Sequence, residues 1–294
     1  MVYPKTPYSE KPTISIVIQC HNDIENLPNS IKSIFNQGIS DFEIIIVDID
    51  SGDNTWNWLA KQANDEKRIR IFKSPENDTE SSLNFAIKQC RGKYIAFLDP
   101  RDEWIPMKLL TQYEYLEKHK NVIMCFSNYA YTSNQENKSI THLDLFPCFN
   151  LYNKNTMGYY TLDYSNNILF SENTINISTV FIRRNTLLSV MKTDQSISYD
   201  ECDLWCRASK LGDIAYNKKY GAQYIVNNDS NSKNIYSQLL KLNYIINTYS
   251  ISTNNNSNLI LIKYKSISNN DDDTYCVKAD TLFSRLTHRI KTYN

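Results

Sequence analysis

Residues 42–53 read FEIIIVDIDSGD, a run of β-branched residues followed by three aspartates and a glycine. The run is short and has no polar alternation, so we predict a strand at 43–48 that is buried on both faces. Asp53 or Ser51 can cap the helix that follows, which has apolar residues at helical spacing. A buried strand followed by a helix is the repeating unit of a parallel sheet.

The same unit recurs on both sides of this stretch. Alternating strands and helices predict a doubly wound α/β fold with a mostly parallel sheet, in which the ligand binds beyond the carboxyl ends of the strands. Short apolar runs predict the other strands of this unit at 13–19, 68–72, 93–98 and 122–126. The strand ends carry polar residues at 19–22, 48–53 and 99–102. We therefore expect a polar site at one edge of the sheet.

The second half of the chain is less regular. Residues 129–172 are polar at first and then rich in aromatic side chains, which fits either a lid over an acceptor pocket or an irregular packed segment. Beyond them a strand is predicted at 175–183, a helix at 200–211, and two short strands at 214–216 and 222–226.

The sequence divides into two units. Residues 10–228 form the predicted α/β domain, and residues 229–294 form a mostly helical C-terminal extension. The extension has one apolar helical stripe at 235–246 and a basic amphipathic helix at 279–291. This last helix either packs on its own domain or contacts an anionic membrane peripherally.

Composition excludes several classes of function. The chain of 294 residues carries 32 basic and 32 acidic side chains, a balance that argues against nucleic-acid binding. No stretch approaches the ~20 apolar residues of a transmembrane segment, and MVYPKTPYSEKP lacks the apolar core of a signal peptide. The seven cysteines are odd in number and scattered, which predicts free thiols and a cytoplasmic protein.

Six pieces of the sequence, taken in order, resemble family 2 glycosyltransferases, which have the GT-A fold. They are ISIVIQCHN (14–22), the helix ending SIFNQ (33–37), FEIIIVDIDSGDNT (42–55), LNFAIKQCRGKYIAFLDPRDEWIPMKL (83–109), STVFIRRNTL (178–187) and YDECDLWCRASKLGDIAY (199–216). The resemblance covers roughly residues 12–230. It implies a Rossmann-like, mostly parallel central sheet flanked by helices.

The resemblance also implies a reaction. Such enzymes move a sugar from a nucleotide-diphosphate sugar to a hydroxyl of a carbohydrate or another acceptor, usually with inversion. The leaving diphosphate needs a cation, usually Mn²⁺ or Mg²⁺ held by an Asp-x-Asp motif, and the acceptor needs a general base.

Donor binding is assigned by the resemblance to side chains at the strand ends and on the helix before the fourth strand. These are Gln19, His21, Asn22, Asp48, Asp50, Asn84, Asp99 and Arg101. The sequence departs from the family pattern at several of these places. Ile49 replaces a second aspartate that commonly contacts the base, and Leu83 replaces an arginine.

The metal motif departs most. The family pattern Leu-Asp-x-Asp-Asp-x-Trp corresponds here to residues 98–104, LDPRDEW, so Arg101 stands where the usual metal ligand would be. Asp99 and Asp102 remain as candidate metal ligands, although the one-residue shift turns the Asp102 side chain away. A guanidinium at this point repels a divalent ion but can bind a diphosphate with its bidentate fork. Either Arg101 serves a metal-independent transferase, or the site has decayed.

The general base is assigned to the sequence Asp200-Glu201-Cys202-Asp203-Leu204-Trp205, which corresponds to the family's Glu-Asp-x-Asp-Leu-Trp. Counting back from the tryptophan places Glu201 at the base position, beside Asp200. Helix capping by Asp200, with Glu201 in the first turn, explains the same acids without catalysis. Asn227 stands where the family often has a metal-binding histidine.

Three functional hypotheses follow. The first is an inverting glycosyltransferase, which can be metal-independent if Arg101 binds the diphosphate. The second is a non-catalytic module of the same fold that binds a glycan or a protein partner, since the departures are concentrated in the site. The third, a nucleotidyltransferase, lacks the glycine-rich phosphate loop that such enzymes usually have.

Overall fold

The protein is described by a computed structural model, which covers residues 11–133, 138–141, 159–162, 175–191, 201–225, 252–253, 259–263 and 274–278. Its centre is a ten-stranded sheet with the order β3-β2-β1-β4-β9-β6-β10-β5, in which β7 pairs with β6 and β8 with β10. Helices alternate with the strands along much of the described chain. This is the mixed α/β architecture that the sequence predicts.

The first half of the sheet consists of four parallel strands with connecting helices. The strands are β1 (Ile14–Cys20), β2 (Phe42–Asp48), β3 (Ile69–Lys73) and β4 (Tyr94–Phe97), and the helices are α1 (Leu27–Ile34), α2 (Thr55–Asp65) and α3 (Thr79–Gln89). Every residue of β2 is buried, which confirms a strand covered on both faces.

The second half completes the sheet with antiparallel and parallel pairs. Its elements are β5 (Asp102–Trp104), α4 (Lys108–Lys118), β6 (Val122–Ser133), β7 (Lys138–Thr141), β8 (Tyr159–Leu162), a 3-10 helix (Ile177–Thr179), β9 (Phe181–Arg183), α5 (Arg184–Met191), α6 (Glu201–Ser209) and β10 (Asp213–Ile225). β9 runs antiparallel to both of its neighbours, β4 and β6, so it joins the two halves.

Two predictions of elements need correction, and one strand was missed. Residues 175–183 do not form one strand, because the 3-10 helix interrupts them and leaves only three residues in β9. The two short strands predicted after residue 213 are one strand, β10, whose register shifts between Asn217 and Ala222. Polar residues at these bulges interrupt the apolar pattern, which is why the sequence predicts two short strands. β5 was not predicted, because three residues are too few for a pattern.

The segment at 129–172 contains more sheet than the sequence suggests. β6 continues to Ser133, and β7 and β8 add to it and to β10. Tyr159 of β8 is buried and stacks on Tyr115 of α4, with ring centroids 3.9 Å apart. The part described is thus packed into the fold, and the remaining residues of the segment lie outside the described ranges.

The described part of the C-terminal extension consists of strands. β11 (Ser252–Thr253), β12 (Leu259–Lys263) and β13 (Thr274–Lys278) form a separate antiparallel sheet. The helices predicted at 235–246 and 279–291 lie outside the described residues. Among the helices of the described ranges, none has the length and hydrophobicity needed to cross a membrane.

A buried ion cluster fixes the amino ends of the first four strands. Glu43 is 2% exposed and accepts hydrogen bonds from Ser15 Oγ (2.7 Å), Arg70 Nη1 (2.9 Å) and Arg91 Nε (2.9 Å). Burial raises the pKa of Glu43, but the bonds from Arg91, Ser15 and Arg70 outweigh it and lower the pKa overall. The Glu43 carboxylate of β2 therefore connects this strand with β1, with β3 and with Arg91, which lies shortly before β4.

Candidate active site

The carboxyl ends of β1, β2 and β4 meet at the opposite edge of the sheet. Parallel registry places Cys20 beside Asp48, and Val17 beside Phe97. The polar loops that follow these strands therefore converge, as a doubly wound fold predicts.

Asn22 connects the first two of these loops. Its main-chain N donates to Ser51 Oγ (2.9 Å), and its side-chain Oδ1 accepts from the N–H groups of Gly52 (2.8 Å) and Asp53 (3.2 Å). Asn22 and Asp50 both have a φ of 54°, a left-handed conformation that asparagine and aspartate tolerate better than most residues. The two loops are thus held in a strained but well-bonded arrangement.

His21 adds a side chain that the family pattern lacks. Its Nδ1 lies 2.6 Å from the carbonyl oxygen of Ile49, which can only accept, so Nδ1 carries the proton. Nε2 then accepts from Asn22 Nδ2 at 3.0 Å. His21 is exposed. Ile49 contributes its main chain to the loop, although its side chain cannot read a base.

Asp48 is fully buried at the end of β2. Ser51 Oγ donates a short hydrogen bond to its Oδ1, and its Oδ2 is buried without a hydrogen-bond partner. Burial, and then the charge of Asp48, raises the pKa of the neighbouring Cys20 thiol. Asp48 thus holds the loop after β2 through Ser51 and is not accessible to solvent.

Three more of the assigned side chains contact α3 or the loop before it. Gln19 Nε2 donates to Thr79 O at 2.7 Å and also to Ser82 Oγ, so it attaches β1 to α3. Asn84 of α3 has a buried Oδ1 without a hydrogen-bond partner. Asp50 is exposed, and its Oδ2 accepts from Asn77 Nδ2 at 3.2 Å.

Leu83, which replaces the family's arginine, is 5% exposed and lies in the apolar core. It contributes packing and has no polar group to offer a donor phosphate.

Asp99 and Arg101 form a closed ion pair at the turn after β4. Arg101 Nε lies 3.0 Å from Asp99 Oδ1, and Arg101 Nη2 lies 3.1 Å from Asp99 Oδ2. Asp99 is the largest cause of the raised pKa of Arg101, and Asp23 and Asp102 act in the same direction. The side chains are 34% and 29% exposed for Arg101 and Asp99, so the pair is accessible from solvent.

Asp102 points into the protein. Its Oδ1 accepts from Tyr129 OH (2.5 Å) and its Oδ2 from Ser178 Oγ (2.6 Å), and the residue is 3% exposed. Burial, followed by the charge of Asp99, raises the pKa of Asp102 to about 8.

Among the described residues, the two candidate ligands Asp99 and Asp102 do not fit a divalent metal. Both oxygens of Asp99 face the Arg101 guanidinium, and both oxygens of Asp102 are bonded inside the protein. Within the described ranges, no three His, Cys, Asp or Glu side chains are grouped so that they could hold an ion. The two aspartates that remained as candidate ligands therefore do not combine into a site in the part of the chain described.

The proposed base lies at the start of α6. Glu201 is the first residue of this helix, and Asp200 and Asn227 lie outside the described residues. Trp205 of α6 is 2% exposed and contacts Phe97 of β4 with ring centroids 5.9 Å apart. This contact packs α6 against the strand that leads to Asp99.

Asp23 and Ser178 belong to the site and were not predicted. Asp23 accepts from His21 N at 3.0 Å, and burial followed by the charge of Asp99 raises its pKa. Ser178 bonds both Asp99 and Asp102, although it is far away in the sequence. An acid directly after His21-Asn22 was a usable signal, whereas nothing near Ser178 marks it.

An α/β sheet whose polar loops lie at the carboxyl ends of its parallel strands is the arrangement in which doubly wound folds bind their ligands. A family model described as "Glycosyl transferase family 2" matches residues 15–188, more than half of the chain. The chain belongs to this family.

Relatives and solved structures agree with this assignment. An uncharacterised glycosyltransferase of Methanocaldococcus jannaschii is 36% identical over 122 residues, 40% of this chain and 42% of that protein. The Escherichia coli UDP-Glc:alpha-D-GlcNAc-diphosphoundecaprenol beta-1,3-glucosyltransferase WfaP is 34% identical over 116 residues, 40% of this chain and 45% of that protein. The matches thus span less than half the length of these relatives.

Solved structures show the fold. S. aureus TarS 1-349 in complex with UDP-GlcNAc aligns with 80% of this chain and 67% of that chain, with a TM-score of 0.54 and 14% identity. Mannosyltransferase PcManGT of Pyrobaculum calidifontis, in complex with GDP-Man and Mn²⁺, aligns with 82% and 66%, with a TM-score of 0.51 and 12% identity. These similarities confirm the predicted GT-A fold.

Proposed function

We propose that this protein transfers a sugar from a nucleotide-diphosphate sugar to a hydroxyl acceptor, such as a glycan, and that Arg101 replaces the metal ion. The observation that carries the proposal is the accessible Asp99–Arg101 pair at the carboxyl edge of the sheet, in the place of the family's metal motif.

Arg101 has the chemistry that a leaving diphosphate requires. A guanidinium carries a permanent charge and presents two parallel N–H donors, which match two phosphate oxygens. The donor must displace Asp99 from this fork, so binding exchanges one bidentate ion pair for another. Uridine nucleotides are the first donors to test, because WfaP is named for UDP-Glc and TarS is solved with UDP-GlcNAc.

Inversion follows if the reaction is a single displacement. The acceptor oxygen attacks C1 of the sugar while the bond from C1 to the diphosphate oxygen breaks, and a base removes the acceptor proton. Glu201 is the proposed base because it begins α6, which packs against β4 through Trp205 and Phe97. Asp200, one residue earlier, is the second candidate.

A specific observation also favours the binding module. Asp99 already neutralises Arg101, and Leu83 and Ile49 cannot replace the polar side chains of the family. A site that has lost its function would have these features too.

Thermal stabilisation by a panel of nucleotide sugars, with Mn²⁺ and with EDTA, separates the two functions. We expect stabilisation that is equal in both conditions, because Arg101 supplies the charge. Arg101→Ala should abolish it, while Arg68→Ala, which removes an arginine paired with Glu66 away from the site, should not. Stabilisation only with Mn²⁺ would refute the role of Arg101, and its complete absence would favour the binding module.

A further inference from the structure

The Asp99–Arg101 pair lies on a short segment between two strands. Residues 99–104 leave β4, turn, and continue as β5 at the end of the strand order. The pair is about one third exposed, and Arg101 N donates to Asp99 Oδ1 at 2.9 Å, which holds the two side chains relative to each other. Another part of the protein must hold this segment if Arg101 is to meet a diphosphate in one orientation.

Ser178 bonds this segment at three points. Its Oγ accepts from the main-chain N of Asp99 at 3.0 Å and donates to Asp102 Oδ2 at 2.6 Å. Its carbonyl oxygen accepts from Trp104 Nε1 at 2.7 Å. A single residue therefore connects the beginning, the middle and the end of residues 99–104.

Ser178 is itself held firmly. It is 0% exposed, and its main-chain N donates to Asn176 Oδ1 at 2.8 Å, which caps the 3-10 helix. β9 follows directly and is inserted between β4 and β6. The hydroxyl is thus presented from the centre of the sheet.

The direction of these hydrogen bonds requires a hydroxyl. The Asp99 N–H can only donate, so Ser178 Oγ accepts from it and uses its own O–H to donate a hydrogen bond to Asp102. Loss of the hydroxyl leaves the partly buried Asp99 N–H and a buried oxygen of Asp102 without this partner. The main chain of Asp99 then loses a contact that holds the turn in place, and with the turn the Asp99–Arg101 pair.

We propose that Ser178 is a positioning residue for sugar transfer, which orients the Asp99–Arg101 pair toward the donor diphosphate. The proposal rests on the proposed function, because it concerns the binding of that diphosphate.

The test compares Ser178→Ala with Thr179→Val. Thr179 is the adjacent, equally buried hydroxyl of the same 3-10 helix, and its Oγ1 donates to Asn176 O (2.7 Å). Two quantities are measured for each full-length variant, namely amide hydrogen exchange at 99–104 and the Kd for UDP and GDP. In Ser178→Ala we expect faster exchange in this segment and a Kd raised roughly tenfold or more, and in Thr179→Val neither change.

A merely structural role gives a different result. Partial unfolding lowers the apparent kcat through the loss of active protein but leaves the Kd and the donor KM of the folded fraction unchanged. Unaltered nucleotide affinity in Ser178→Ala, or an equal loss in Thr179→Val, would overturn the proposal. A wild-type protein that binds no nucleotide would refute the proposed function and this role together, and the exchange data would then report only whether Ser178 holds the segment.

Discussion

At the scale of single residues, the turn after β4 carries a side-chain cation. Arg101 lies there, and its guanidinium is paired with both oxygens of Asp99. A bound ion can be removed with a chelator, whereas this charge is permanent. Under the proposed function, donor affinity should therefore depend on salt more than on metal supply.

Glu201 carries the proposed acid–base chemistry, and its replacement by glutamine tests it. Glutamine keeps the shape but cannot take a proton, so transfer should fall by at least about a hundredfold. The Kd for the donor should stay within about twofold, because the proposed role is confined to the acceptor. Initial rates and isothermal titration measure the two effects. Asp200→Asn tests the second candidate for the base in the same way, and full activity in Glu201→Gln would remove Glu201 from the role.

At the scale of elements, α4 contains a buried lysine beside Trp104, the last residue of the 99–104 segment. Lys108 is 6% exposed, and its Nζ has no hydrogen-bond partner. The Nζ lies 4.3 Å from the centroid of the Trp104 ring. Burial lowers its pKa from 10.5 to about 7.

Lys108 should make the stability of the protein depend on pH. Its pKa is lower in the folded state, so the unfolded chain binds more protons between about pH 7 and pH 10.5. The contribution of Lys108 to the free energy of unfolding should therefore rise with pH across this window, and Lys108→Met should remove that contribution. Urea denaturation at several pH values measures it. Lys118→Met, at the exposed end of the same helix, is the control, and a pH dependence left unchanged in Lys108→Met would contradict the assignment.

At the scale of the whole molecule, the carboxyl and amino ends of the parallel strands, which form two opposite edges of the sheet, have different roles. The carboxyl edge exposes the loops of the site, whereas the amino edge closes around Glu43. The Glu43 cluster joins the amino ends of β1 to β4, and the loops at their carboxyl ends must remain accessible to a ligand.

Glu43→Gln should destabilise the entire domain. The change leaves Arg70 and Arg91 without their carboxylate at a largely buried position, and breaking such a cluster costs on the order of 3 kcal/mol. Chemical denaturation should show one cooperative transition at lower denaturant concentration. Glu66→Gln breaks the more exposed pair with Arg68 and should cost less than about 1 kcal/mol. Equal effects of the two changes would contradict the structural role of Glu43.

The sequence predicted the first half of the sheet well, because β1 and β2 are unbroken β-branched runs whose pattern depends only on burial. It failed at β5 and β10, where a few polar residues join a sheet through partners elsewhere in the chain. In the site, motif spacing identified Asp99 and Arg101. Their closure into a pair depends on the geometry of the turn, and Ser178 reaches it from 79 residues away. Neither is visible as a local pattern.

The amino edge also limits how the chain can evolve. A Cβ atom on Gly92 would lie 2.5 Å from the main-chain N of Ser15, and that main chain cannot move without shifting β1. Gly92 N also donates to Ser15 Oγ, which in turn donates to Glu43. Any side chain at Gly92 would therefore have to displace the strand that also holds the Glu43 cluster together. We expect Gly92 to tolerate no other residue.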